Sequence, residues 1–428
     1  MRKILLYALI LGLTGCATNK KTNKNNNNAP REARTVANYP EVVAKPMVVA
    51  IKSRYIVKDS SSAKVFMELD VENLSKDKAL QQMKETFRLS FLLQSDYGVR
   101  DRLAYNKVDF TEQNFILRDG KVEVVFDIPR PKNVSRALLL TEIFELATSK
   151  KSNNDLVIDF SATRLGDRYG LYVSDMSRPL FRNYINKKDT FQIRSIDNHV
   201  RDLYLIRYAN DFDPAQSPMA TTLKPAIKSL RIEEIQKIQT GTPLQLQTEG
   251  VYFAVEDTMN TRNGLGFMIV DNRFPKFTLP EKLVKPLIYM STSQETRTVA
   301  ENPDAKQALD RYFLTITGGN QTLSKKIIKT YYRRIEEANR LFTSFKEGWK
   351  TDKGMVYIIL GPPNKVQRSR DREVWMYAQS QNFSEIIFTF NKRPNQLADN
   401  YYELVRYPEY QAYWYPFVEA WRTGNVME

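Results

Sequence analysis

Cysteine occurs once in the 428 residues, at Cys16, and histidine once, at His199. A single cysteine excludes an intramolecular disulfide, so apolar burial must supply the stability that a crosslink would otherwise add. A single histidine excludes a zinc site with two histidine ligands from one chain and allows a Ser-His-Asp triad only around His199. That residue lies in Asp197-Asn198-His199-Val200-Arg201-Asp202, which reads as a polar loop. A Gly-rich phosphate loop and a nucleophile elbow are both absent. No apolar run approaches the ~20 residues needed to span a bilayer. The adjacent pairs Glu233-Glu234 and Glu336-Glu337 point apart on a strand or helix, so neither makes a carboxylate pair by itself. Asn210-Asp211-Phe212-Asp213 lacks the glycine and terminal glutamate of a calcium loop. Neither metal nor cofactor is expected.

What stands at the N-terminus is more informative. Met1-Arg2-Lys3 is basic, Ile4 to Leu13 is almost wholly apolar, and Leu13-Thr14-Gly15-Cys16 closes the run with small residues. This is the layout of an export signal, over residues 1–15. The closing tetrapeptide resembles a lipobox, in which the cysteine receives diacylglycerol and becomes the first residue of the mature chain. Lipidation at Cys16 would anchor firmly, since each buried CH2 adds ~0.8 kcal/mol and several acyl chains act together. Ala17 is not the aspartate that signals inner-membrane retention. Thr18-Asn19-Lys20-Lys21 lacks an acidic surface-export cluster. The expected location is therefore the outer membrane, lipid-anchored, with the body on the periplasmic face.

Lysine and arginine number 64 against 49 aspartates and glutamates, a net charge of +15. Removal of the signal takes only Arg2 and Lys3 from that surplus. Such a balance favours anionic neighbours through long-range attraction. In an envelope these are lipopolysaccharide, acidic glycan or acidic proteins; nucleic acid is not expected, and no nucleic-acid module is recognisable.

Residues 16–45 form a lipidated tether, polar and asparagine-rich from Asn19 to Asn28, without apolar periodicity. Beyond it the period becomes two. Val65, Met67, Leu69 and Val71 share one face, as do Val122, Val124, Phe126 and Ile128. Phe87, Leu89, Phe91 and Leu93, and then Leu156, Ile158 and Phe160, repeat the pattern. Alternation of this kind marks half-buried antiparallel strands, with turns expected at Asp119-Gly120 and Asn153-Asn154. The spacing predicts an immunoglobulin-like β-sandwich over 46–162 and a second β-rich domain over 163–290. The second includes Leu203 to Tyr208, Leu230 to Ile235, Leu244 to Leu246, Val251 to Val255 and Phe267 to Val270.

From residue 291 to 428 an α+β domain is expected. Asn302-Pro303-Asp304 reads as a helix start, with Asn302 as cap, and Gly318-Gly319 as its stop. Ile328, Tyr331, Ile335, Ala338, Phe342 and Phe345 mark a second helix, ended by Gly348. Strands are predicted at Met355 to Leu360, Glu373 to Ala378, Glu385 to Phe390 and Tyr401 to Tyr407.

Between the second helix and the first of these strands stands Gly348-Trp349-Lys350-Thr351-Asp352. With Tyr331 to Arg334, Ala338-Asn339 and Phe342 before it, and Lys353 to Ile358, Gly361-Pro362-Pro363 and Glu373 to Tyr377 after it, roughly residues 285–428 resemble the GWxTD domain family. That family consists mostly of lipoproteins of Bacteroidota, and the resemblance implies no activity, cofactor or catalytic residue. The Gly-Pro-Pro turn with Trp375 and Tyr377 also resembles, more distantly, BamE-like outer-membrane assembly lipoproteins. Each motif residue has a structural job. Gly348 would reverse the chain at positive φ, Trp349 would plug the core with its NH on a carbonyl, and Thr351 and Asp352 would bond backbone amides in a turn finished by Gly354. Gly361-Pro362-Pro363 would make a rigid turn after a strand.

Two functional expectations follow. The first is a non-enzymatic structural or protein-interaction module of the envelope, accessory to outer-membrane assembly or secretion. The alternative is an enzyme or binding protein for glycan or peptidoglycan, using Asp352 and the aromatic residues of the C-terminus: Tyr401, Tyr402, Tyr407, Tyr410, Tyr413, Trp414, Tyr415, Phe417 and Trp421.

Overall fold

The computed structural model describes residues 44–173, 177–209, 212–222, 229–378 and 385–426. The signal, Cys16 and most of the tether lie outside these residues, as do Asn210 and Asp211. All described elements belong to one unit, Lys45–Glu428.

Its first part is built from β1 (Met47–Val57), β2 (Ser62–Glu72), the short α1 (Ala79–Thr86), β3 (Phe87–Gln94), β4 (Ala104–Val108), β5 (Phe115–Arg118), β6 (Lys121–Pro129), β7 (Arg136–Glu145) and β8 (Lys151–Asp159). They form two four-stranded sheets, ordered β1-β2-β6-β5 and β4-β3-β7-β8. Every pairing is antiparallel. Lettered along the chain, this is the ABED sheet of an immunoglobulin fold facing CFG with one added edge strand. The alternating residues close the core: Val65, Met67, Leu69, Val122 and Val124 are fully buried, opposite Leu89, Leu93, Leu139 and Ile158. Phe91 and Phe126 stack across it at 5.6 Å. Asp119 and Gly120 both take positive φ, 49° and 78°, and join β5 to β6 as a tight hairpin. Asn153-Asn154 is no turn; both lie within β8, where Asn154 pairs with Thr141 and accepts a 2.5 Å bond from the Ser53 hydroxyl. A polar pair on a strand facing another sheet's hydroxyl mimics a turn signal in sequence.

The middle part holds α2 (Leu165–Arg168), β9 (Gly170–Val173), β10 (Tyr184–Asn186), β11 (Phe191–Arg194), β12 (Asp202–Tyr208), β13 (Ile232–Gln239), β14 (Gly250–Val255) and β15 (Leu265–Val270). A five-stranded sheet runs β10-β15-β14-β12-β13, and β9 pairs with β11 in a ribbon. Only β10 runs parallel to its neighbour. Every residue of β14 is buried, because this central strand is covered on both faces; such strands read as continuous apolar runs. The expected strand at Leu244 to Leu246 is reduced to a single bridge between Leu244 and Phe191.

The last part comprises α3 (Pro280–Leu283), α4 (Ser293–Ala300), α5 (Ala305–Ile316), α6 (Gln321–Phe342), α7 (Asp352–Leu360), β16 (Lys365–Arg368), β17 (Arg372–Tyr377), β18 (Ile386–Lys392), β19 (Tyr402–Leu404) and α8 (Gln411–Thr423). The sheet is β16-β17-β18-β19, antiparallel throughout. The fold class is thus mainly β in the N-terminal region, with helices and strands together in the C-terminal one. Gly318 and Gly319 stop α5 with φ of 58° and 85°. Its cap is Asp304, which accepts from the amide of Gln307, while Asn302 bonds the Asp304 amide one step outside the helix.

Two departures from expectation matter for the site. Met355 to Leu360 is not a strand but most of α7. A short run of apolar residues reads alike as a buried strand or an all-round buried helix, and Met355, Val356 and Ile358 are fully buried here. Gly361-Pro362-Pro363 therefore follows a helix. The C-terminal aromatics, apart from those in and beside β19, lie on or just before α8. Trp414 and Trp421 are buried, whereas Tyr407 and Tyr415 are about half exposed. The Trp421 indole donates to the Ile359 carbonyl at 3.0 Å, which locks α8 onto α7.

Candidate functional site

The Gly-Trp-x-Thr-Asp segment begins in a single 3-10 turn, Gly348–Lys350, pressed against the C-terminal half of α6. Gly348 does not use positive φ. Its requirement is space: a Cβ there would sit 2.0 Å from the Ala338 carbonyl oxygen. This close approach lets Asn339 do the joining. Its Oδ1 accepts from the Trp349 amide at 3.0 Å and its Nδ2 donates to the Pro275 carbonyl at 3.0 Å. Asn339 is fully buried, so each of these bonds satisfies a group that water cannot reach. The Thr343 hydroxyl donates to the Asn339 carbonyl and accepts from the Gly348 amide.

Trp349 is the expected plug, 1% exposed. Tyr289 meets it edge-on with ring centres 6.1 Å apart and donates its hydroxyl to the Trp349 carbonyl at 2.9 Å. The indole NH goes to a carboxylate instead of a carbonyl: Glu347 accepts it at 3.0 Å and also holds Lys350 at 3.1 Å. A charged acceptor makes the stronger bond.

Thr351 is the N-cap of α7. Its hydroxyl accepts from the Gly354 amide at 3.0 Å and donates to the Gly348 carbonyl at 2.7 Å. Gly354 has no room for a side chain, since a Cβ would fall 1.9 Å from the Gly348 carbonyl oxygen. Asp352 occupies the first position of α7, where a carboxylate suits the helix dipole. It reaches across to β19 and the residues after it. Oδ2 accepts from the Leu404 amide at 2.7 Å and from Arg406 Nη1 at 3.1 Å, and Oδ1 meets Arg406 Nη2 at 2.6 Å. Arg406 spends its other donors on the carbonyls of Gln216, Ser217 and Leu404. Both side chains are buried.

A second buried ion pair lies one residue on. Lys353 bonds Glu373 at 3.0 Å and rests 3.6 Å from the centre of the Tyr402 ring. Glu373 also accepts from the Trp375 indole at 2.6 Å and from Arg368 at 3.2 Å. Burial alone would raise the Glu373 carboxyl, but Lys353, Trp375 and Arg368 outweigh it and hold the group below its ordinary range. Burial pulls the Lys353 ammonium down against the attraction of Glu373. Arg368 continues the chain of contacts to Asp155 of the sandwich at 2.7 Å, which accepts from Tyr97 at 2.5 Å.

Gly361 ends α7 with φ of 88°, and a Cβ would meet the Arg334 guanidinium at 2.3 Å. Its carbonyl accepts from the Tyr377 hydroxyl at 2.9 Å. Pro362 and Pro363 carry the chain into β16. The expected motif residues from Gly348 to Gly361, with Trp375 and Tyr377, therefore join one network around α6 and α7. Sequence reading missed Arg406, Asn339, Tyr289 and Glu347 as their partners. The signal for Arg406 was indirect: a carboxylate followed by a buried helix needs a cation, and the chain does not say from where.

His199 is exposed, with Nδ1 2.9 Å from Asp197. No group of three or more metal-ligating side chains occurs among the described residues. None of the described helices is long and apolar enough to cross a membrane.

The fold and this network define a chain whose C-terminal α+β part is organised around the junction of α6 and α7. Residues 250–423 match the family model described as the GWxTD domain, and the chain carries that domain. The match starts upstream of the expected 285, at β14, so the last strands of the middle sheet are included. No curated protein matches the chain.

Proposed function

We propose that this protein is a lipoprotein of the Bacteroidota cell envelope, anchored in the outer membrane through Cys16 and facing the periplasm. There it acts without enzymatic chemistry, as a structural or protein-interaction module beside outer-membrane assembly or secretion machinery. The observation that carries the non-enzymatic reading is the engagement of Asp352. Both its oxygens are taken by Arg406 and the Leu404 amide inside the fold. A carboxylate so held is buried and serves to join α7 to β19 within the fold. The anchoring reading rests on Leu13-Thr14-Gly15-Cys16 and the polar tether behind it. The positive net charge suits acidic envelope partners.

The test combines anchoring with function. Wild-type protein should incorporate labelled palmitate and fractionate with the outer membrane, and Cys16→Ala should do neither. Added protease should spare it in whole cells. Pull-down from envelope extracts should return envelope proteins with both wild-type and Asp352→Asn baits that remain folded. Palmitate-free protein in the outer membrane would overturn the anchor. A folded Asp352→Asn variant that loses a measurable glycan-cleaving activity would overturn the non-enzymatic reading.

A further inference from the structure

The three parts of the fold do not close completely on one another. They leave a cavity of about 1060 Å³, at the upper end of the size range of small-molecule sites. Its wall gathers cations from each part: Arg54 on β1, Arg136 at the start of β7, Arg164 before α2, and Lys392 at the end of β18. Seven carboxylates share the same wall, among them Asp159, Asp167, Asp371 and Asp399.

The pairing within this group is uneven. Arg136 meets Asp159 at 3.0 Å. Arg164 holds Asp399 and reaches the carbonyls of Asn395 and Gln396. Asp167 is spoken for by the Tyr55 hydroxyl at 2.5 Å. Among the described residues Arg54 hydrogen-bonds the Leu180 carbonyl from Nη1 at 3.0 Å, with Asp399 and Asp167 near enough to attract it. The Lys392 ammonium has no hydrogen-bond or ion-pair partner among the described residues, although Arg136 and Arg164 are near enough to repel it and Asp399 and Asp371 to attract it. A half-buried ammonium in that position carries an unmet demand for an anion. The same wall carries neutral hydrogen-bonding groups, among them Asn133, Ser135 and Asn183, and the aromatic residues Tyr97 and Tyr401. Amides, hydroxyls and tyrosine rings beside under-paired cations suit a ligand that is polar over most of its surface and anionic at one end.

We propose that this cavity is a binding site for an acidic saccharide, whose carboxylate or phosphate is received by Lys392 and Arg54. The cavity borders the Trp349–Asp352 network at Thr343 and Thr351, whereas Lys392 and Arg54 lie outside that network, and the proposal does not depend on how the chain is anchored. Arg136 and Arg164, already paired, leave the anion to Lys392 and Arg54, and the neutral wall takes the hydroxyls. Because the wall is shared by all three parts, an occupant would also brace them against one another.

Titration calorimetry on the full chain, with glucuronic acid, glucose 1-phosphate and glucose as probes, tests this. At least one of the acidic sugars should bind while glucose does not, and which acid binds tells carboxylate from phosphate. Lys392→Gln should weaken that binding about tenfold or more, the effect of losing one charge-assisted hydrogen bond, and Lys392→Arg should restore most of it. Arg54→Gln, on β1, should weaken it similarly and serves as the reading if the lysine variant melts early. Failure of both acidic sugars to bind would overturn the proposal. So would equal binding by wild type and the folded glutamine variants.

Discussion

Arg406 grips both carboxylate oxygens of Asp352, at 2.6 and 3.1 Å, and so ties the first turn of α7 to β19 in the interior of the domain. A buried pair of this geometry is a poor source of net stability but a costly one to halve, because the survivor is left charged and alone. Asp352→Asn and Arg406→Gln should each destabilise the domain by ~3–5 kcal/mol. Replacing both by apolar residues of similar volume should cost clearly less than the two single changes added together. Chemical denaturation of the four proteins in a double-mutant cycle measures this; additive losses would contradict a coupled pair.

Trp349 fills the space between α6 and Tyr289, and its indole NH is held by Glu347. Trp349→Ala should cost ~3–5 kcal/mol, the usual loss for a buried large aromatic. Trp349→Phe should recover part of that, keeping the contact with Tyr289 and losing the bond to Glu347. Thermal melts followed by near-ultraviolet circular dichroism would report both.

Gly348 and Gly354 are fixed by the closeness of backbone to backbone. Alanine is the better helix former, so Gly354→Ala within α7 would ordinarily add up to ~1 kcal/mol. Here the new methyl meets the Gly348 carbonyl oxygen. Both Gly348→Ala and Gly354→Ala should therefore destabilise, by ~1–3 kcal/mol or more. Gly120→Ala, with open space but φ of 78°, should cost less. Urea midpoints rank the three; a neutral Gly354→Ala would refute the close approach.

Asp167 sits where the sandwich, α2 and the loop carrying Asp399 meet. Burial pushes its carboxyl up to about 6, with Asp399 and Asp159 adding repulsion and the Tyr55 hydroxyl and Arg164 amide opposing them. Arg54 faces it from β1. A folded value above the unfolded one means the native state holds a proton that the unfolded chain has released. The contribution of this group is therefore fully present below about pH 4 and is lost as pH rises through 6. Two units correspond to on the order of 3 kcal/mol. Asp167→Asn should raise stability relative to wild type at pH 7.5 and bring little gain at pH 4.5. Denaturation of both proteins across that window, with the difference plotted, tests the sign.

Much of the architecture was legible in the residues alone. Period-two alternation placed β2, β3, β6 and β8, because one buried face per sheet forces every second side chain to be apolar. The spacing of Tyr331, Ile335 and Ala338 placed α6 for the matching reason on a helix. The turn at Asp119-Gly120 and the stop at Gly318-Gly319 were readable because few other residues tolerate positive φ. All these signals are local. What failed was also local in appearance but tertiary in cause. Met355 to Leu360 is buried on all sides, so no periodicity separates helix from strand, and the cap at Thr351 had to decide. Asn153-Asn154 looked like a turn until the Ser53 hydroxyl showed why polar residues belong inside β8.

The motif itself divides along the same line. Its residue types were enough to foretell a buried tryptophan and side-chain bonds from Thr351 and Asp352 to backbone amides, but not that Gly348 would be required for space instead of positive φ. They could not foretell that Asp352 would be met by Arg406, 54 positions away, or that the Lys392 ammonium would find no hydrogen-bond partner among the described residues in a wall built from three parts of the chain. Short-range sterics and periodic burial act between residues close in sequence and leave their mark on composition. Charge pairing acts through space, and any of 64 bases could have answered one carboxylate until the packed fold brought a single one within 3 Å.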